Sequence, residues 1–118
     1  MSVSPVTRAP SAHRSTRDEV ENLLGELGVS AEAFRGGKLT VRSPIDGTAI
    51  AELKEHSADD VGAAIGRAHD AYLAWRKVPP PNRGELVRLL NDELRANKVA
   101  LGRLVSLEVG KIVTEGQG

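Results

Sequence analysis

Few side chains in this 118-residue chain could move a proton or hold a metal. Its histidines are His13, His56 and His69. They fall in a polar N-terminal stretch, just after an apolar alternation, and inside a helical pattern. No two of them have the spacing that puts a pair of ligands on one helix face, and none has a His-Glu metal spacing. Solvated or structural roles are expected for His56 and His69. The chain has no cysteine. A thiolate nucleophile, a disulfide and a thiolate metal site are therefore excluded within it. Asp59-Asp60 offers two hard oxygen ligands, but acids at a helix start are already explained by the helix dipole. Gly116-Gln117-Gly118 could open a Gly-x-Gly-x-x-Gly phosphate loop, yet no strand pattern leads into it. No nucleophile elbow and no Walker loop occur. On these grounds no catalytic, cofactor-binding or metal-binding residue is assigned within the chain.

Charge and composition narrow the remaining classes. Lys+Arg and Asp+Glu number 16 each, so the formal net charge is zero. A dedicated nucleic-acid binder needs a basic footprint, and a polybasic membrane anchor needs a cationic cluster. Phe34, Tyr72 and Trp75 are the aromatic residues, too few for base stacking along a single strand. No apolar run approaches the roughly 20 residues of a membrane span. Residues 1–15, "MSVSPVTRAPSAHRS", are rich in Ser, Pro and Arg and contain no acid. They read as a disordered tail. A targeting peptide is the other reading, and Pro5 and Pro10 spoil the amphipathic helix it would need.

The elements are legible from periodicity and punctuation. Thr16-Arg17-Asp18-Glu19 predicts a capping box. Val20, Leu23, Leu24 and Leu27 then recur at helical spacing, with Gly28 suited to a left-handed C-cap. Ser30 predicts one further turn ending at Gly36-Gly37. Leu39 and Val41, then Ala49, Ala51 and Leu53, alternate with other residues around a Pro44 and Asp46-Gly47 connection, which predicts a β-hairpin. Such a hairpin needs a helix face or a larger sheet to lie against.

Ser57 with Asp60 predicts the start of a second long helix. Its stripe is Val61, Ala64, Ile65, Ala68, Tyr72 and Trp75. Gly62 and Gly66 each weaken it by about 1 kcal/mol relative to Ala, and close packing is the expected reason for them. Three prolines then break the chain. Asn82 with Glu85 predicts the next N-cap. Leu86, Val87, Leu90 and Leu94 run to Asn97, a cap or kink, and Leu101, Leu104 and Val105 continue to Gly110. Glu85–Arg88 and Asp92–Arg95 are expected helix-surface pairs. A last helical turn is expected after Lys111. The chain itself is thus expected to be mostly α with one N-terminal β-hairpin.

Two stretches carry more than their periodicity. "LTVRSPIDGTAIAEL" resembles the N-terminal hairpin of the aldehyde dehydrogenase superfamily: an apolar strand, a Ser-Pro, a small turn ending in Gly, and a second apolar strand. "ADDVGAAIGRAHDAYLAWRKVPPPNRGELVRLLNDELRANKVALGRLVSLEVGK" resembles the helical segment that succeeds the hairpin in that family. The shared features are an Ala-rich helix ending in Ala-Trp, a Pro break, an Arg before the next helix, and a Leu-Glu-x-Gly-Lys close. The match runs from about Asp18 to Gly118, and the combination is more specific than any one motif. "LLGELGVSAEAFRGG" and the "SPIDG" turn are most similar to the branch containing antiquitin and the bacterial piperideine-6-carboxylate (α-aminoadipic semialdehyde) dehydrogenases.

The resemblance implies an α/β parent fold and an NAD(P)-dependent oxidation of an aldehyde to a carboxylate. In that family a cysteine thiolate attacks the aldehyde, hydride passes to the nicotinamide, and a Glu-activated water hydrolyses the thioester. It also implies that residues 16–118 are the N-terminal part of the cofactor-binding domain, stopping before the nucleotide-binding strands. The chain alone would then be inactive and bind neither NAD nor NADP. Its partner would be the rest of the dehydrogenase or a full-length homologue. The parent would be a cytoplasmic homo-oligomer of lysine catabolism, with no nucleic-acid or membrane partner. Some relatives hold a monovalent cation near the first strand, which would here involve Thr40, Val41 and Glu108; a helix-end role for Glu108 is the alternative. The stripes at Val61–Trp75 and Leu86–Val105 should lack partners within the chain. The other reading is a small non-catalytic helical module for oligomerisation or interaction.

Overall fold

In the computed structural model, which describes residues 14–118, the first helix is capped one residue earlier than its sequence signal predicts. The helix is α1, Thr16–Glu26, and its N-cap is Ser15 rather than Thr16. The Ser15 hydroxyl accepts from the Asp18 amide at 3.1 Å, and the Asp18 carboxylate accepts from the Ser15 amide at 3.3 Å. Thr16 is drawn elsewhere: its hydroxyl donates to Asp46 at 2.6 Å. Of the stretch expected to be a tail, 1–13 lie outside the described residues, as does His13. At the other end Gly28 takes φ 76°, as a helix-terminating glycine should. A short turn, α2 (Ala31–Phe34), follows Ser30 and buries Phe34.

The hairpin forms where expected. Strands β1 (Leu39–Arg42) and β2 (Ala49–Leu53) pair antiparallel, with Val41 opposite Ala51 and an irregularity between Val41 and Arg42. Asp46 accepts from the Thr48 amide at 2.9 Å, closing the turn, and Gly47 sits at φ 74°. Gly37 lies so close to β2 that a Cβ there would stand 1.9 Å from the Leu53 carbonyl. Ile50, not one of the alternating Ala49, Ala51 and Leu53, is the most buried residue of β2. Helices stand over this small sheet, so simple alternation does not describe its burial.

Helix α3, Ala58–Trp75, begins at Ser57 with the expected capping box to Asp60. Helix α4, Pro80–Ala96, does not begin at Asn82. Pro79 is its N-cap, and Pro80 and Pro81 fill the first turn. Proline suits that place, because its fixed φ is helical and its missing N–H would have had no intrahelical partner. Asn97 ends α4 and bends the chain into α5, Lys98–Val109; its side-chain amide donates to the Glu93 carbonyl at 2.9 Å. Gly110 closes α5 at φ 75°, and α6 (Val113–Gly116) is the expected last turn.

The core forms between α1, the hairpin and α5. Val20, Ile50 and Leu107 are its buried centre, with Leu23, Leu24, Val41 and Leu104 packed around them. Helix α6 lies on α5, with Gly116 against the Gly102 carbonyl, a contact that leaves no room for a side chain at Gly116. We refer to α1, α2, the hairpin, α5 and α6 as the clamp. Helices α3 and α4 form an arm that buries no residue. The radius of gyration, 21.0 Å, far exceeds the roughly 13 Å of a compact domain of about this size. The extents are 83 × 36 × 22 Å.

Candidate functional site

The residues that could carry chemistry are dispersed. His56 lies in the exposed link from β2 to α3, and His69 is exposed on α3, its ring centroid 6.4 Å from that of Tyr72. Among the described residues no three His, Cys, Asp or Glu side chains gather to hold a metal. Asp60 serves the helix start: its carboxylate accepts from the Ser57 hydroxyl at 2.7 Å and the Ser57 amide at 2.9 Å, which holds its pKa below the ordinary aspartate value. Val41 and Glu108 line one apolar hollow of about 240 Å³, together with Val20, Leu24, Phe34 and Ile50; Thr40 does not line it. Glu108 itself is exposed on the last turn of α5.

A dinucleotide site needs a parallel strand running through a Gly-rich turn into a helix. Gly116, Gln117 and Gly118 instead finish the one-turn α6. The sheet among the described residues is a single antiparallel hairpin. The described residues therefore do not fit a nicotinamide cofactor.

What the clamp does hold is a set of long-range polar ties. Arg17 is a fork: its two terminal nitrogens donate to the two Glu52 oxygens at 2.8 and 3.0 Å, and its Nε donates to Glu21 at 3.0 Å. Arg35 adds a second cation to Glu21. Arg103 on α5 grips Glu19 on α1 through two nitrogens, at 2.5 and 3.0 Å. The Arg103 hydrogen bond holds the Glu19 carboxyl below its ordinary pKa, and Arg17 does the same for Glu52. Ser43, only 1% exposed, donates its hydroxyl to the Leu107 carbonyl at 2.5 Å. That carbonyl is in the last turn of α5, where the helix offers it no amide partner. Partners 30 to 84 residues apart are invisible to local spacing. The clearest local hint is the Ser-Pro of the hairpin, which contains Ser43.

The arm is the opposite. Val61, Ile65, Tyr72 and Trp75 on α3, and Leu86, Val87, Leu90 and Leu94 on α4, are all exposed, Ile65 to 65% and Leu90 to 58%. The expected close packing at Gly62 and Gly66 is not made by the described residues: a Cβ at either would meet nothing within 4 Å. The stripe from Leu86 divides at Asn97. Leu101, Leu104 and Val105 are half-buried in the clamp, so the expectation that they lack partners is corrected there. On the outer face of α4, Arg88 bonds both Glu85 and Asp92, while Arg95 bonds Asn91 instead of Asp92. Arg83, in the first turn of α4, has a buried Nε with no hydrogen-bond partner. Such a donor is costly unless something else accepts from it. Large apolar side chains thus stand exposed along both arm helices. No described helix is long and apolar enough to cross a membrane.

Comparison with known proteins agrees on one family. The model of the aldehyde dehydrogenase family matches residues 31–118. The α-aminoadipic semialdehyde dehydrogenase of Rattus norvegicus is 44% identical over 84 residues, covering 71% of this chain and 16% of that protein. The Bos taurus protein of the same name is 42% identical over 104 residues, covering 80% of this chain and 19% of its own length. Aldehyde dehydrogenase family 7 member A1 of Pisum sativum is 45% identical over 105 residues, 80% of this chain and 21% of that protein. The chain thus spans about a fifth of the length of these relatives.

Proposed function

The chain belongs to the aldehyde dehydrogenase family, and from that premise we propose that it works as the N-terminal part of an NAD(P)-dependent enzyme oxidising α-aminoadipic semialdehyde to its carboxylate. The substrate comes from the names of the rat and bovine relatives. In this reading the parent has an α/β fold and its chemistry lies in residues beyond these, since the chain has no cysteine to supply the family's nucleophile. The role of residues 16–118 is structural: the clamp anchors the part, and the arm offers its apolar face to the remainder of the dehydrogenase. The uncovered α3–α4 face is the observation that carries the proposal.

The test starts from the native source. The polypeptide that carries these residues is isolated, its intact mass measured, and NAD(P)+-dependent oxidation of α-aminoadipic semialdehyde assayed. A mass several-fold above 12.6 kDa together with that activity is expected. A mass near 12.6 kDa without activity would overturn the proposal.

The second reading, a non-catalytic oligomerisation or interaction module, rests on the local support of the arm. The Ser57–Asp60 box and the Glu85–Arg88–Asp92 set hold α3 and α4 without any sheet beneath them. Size-exclusion chromatography with light scattering separates the two: the module gives a discrete oligomer, and an uncovered dehydrogenase part gives a polydisperse one.

A further inference from the structure

We draw no further inference here: the strongest candidate, the exposed apolar face of α3 and α4 in the arm, is already given to the remainder of the dehydrogenase, and nothing in the structure shows any other partner that covers it.

Discussion

Leu107 and Leu90 are the same residue on neighbouring helices, yet Leu107 is 2% exposed and Leu90 58%. Amphipathic pattern does not account for the difference, because the exposed helix α4 is the more amphipathic of the two. The difference lies in what the rest of the chain brings to them. Helix α5 receives α1 and the hairpin through bonds between distant residues: Arg103 to Glu19, and Ser43 to Leu107. Among the described residues the side-chain bonds along helix α4 join its own residues, Arg88 to Glu85 and Asp92 and Arg95 to Asn91. Periodicity selects a face, and long-range partners decide whether that face is buried. In proteins most helical stability comes from tertiary packing of the apolar face, which α3 and α4 lack among the described residues. The clamp should therefore be the stable part of this chain, and the arm the responsive part.

The contrast can be broken most severely at the clamp's centre. Leu107→Ala removes a buried side chain and should cost about 3 kcal/mol; urea unfolding followed by circular dichroism measures it, and a cost under about 1 kcal/mol would mean the clamp is not a packed core. Ser43→Ala comes next. It leaves the Leu107 carbonyl in a buried place without its donor, and about 1–2 kcal/mol should be lost in the same experiment.

A smaller effect comes from acid. The carboxyl of Glu19 is held below its ordinary pKa by Arg103, so its folded pKa lies under its unfolded one. Its contribution is fully present above the unfolded value, about 4.3, and is lost as the pH falls through the lower folded value. The clamp should weaken below about pH 4.3, and Glu19→Gln should reduce that slope, with Glu21, Asp46 and Glu52 still contributing to it, without changing the acid response of the arm. Residue-resolved hydrogen exchange across that range reads both regions at once; equal slopes in the variant and the parent would remove Glu19 from the account. The smallest effect sharpens the comparison instead. Leu90→Ala should change the stability of this chain by less than about 0.5 kcal/mol, as exposed positions do. In a complete dehydrogenase that covers the face it should cost about 2–4 kcal/mol. Equal costs in the two settings would mean the face stays open in both.

How much of this is readable depends on the distance between the groups involved. The α3 cap is legible because Ser57 and Asp60 lie three residues apart and nothing else competes for them. The α1 cap misleads because Ser15 and Thr16 each have an acid three residues on. The choice between them goes with bonds to Asp46 and Arg103, far along the chain. The α4 start misleads because Asn82 has a capping side chain and Pro79 has none, while the geometry of consecutive prolines outweighs that preference. The helical period of each arm segment is correct, since it needs no partner to be seen. The burial of Ile50 and the Arg17 fork are not legible, because both depend on which helix crosses the hairpin. For the chemistry, the family comes from the combination of motifs, and the geometry adds no catalytic constellation among the described residues.

The clamp is also discontinuous. Its strands end at Leu53, its closing helix begins at Lys98, and the arm is the excursion between them. Seen as a polymer, the clamp is the closed neck of a loop. Closing such a neck costs entropy that grows only as the logarithm of the loop's length, about 0.6 kcal/mol for each doubling. The arm could therefore lengthen or shorten by whole helical turns with little effect on the neck. In the proposed dehydrogenase its dimensions would then be free to follow the surface it meets.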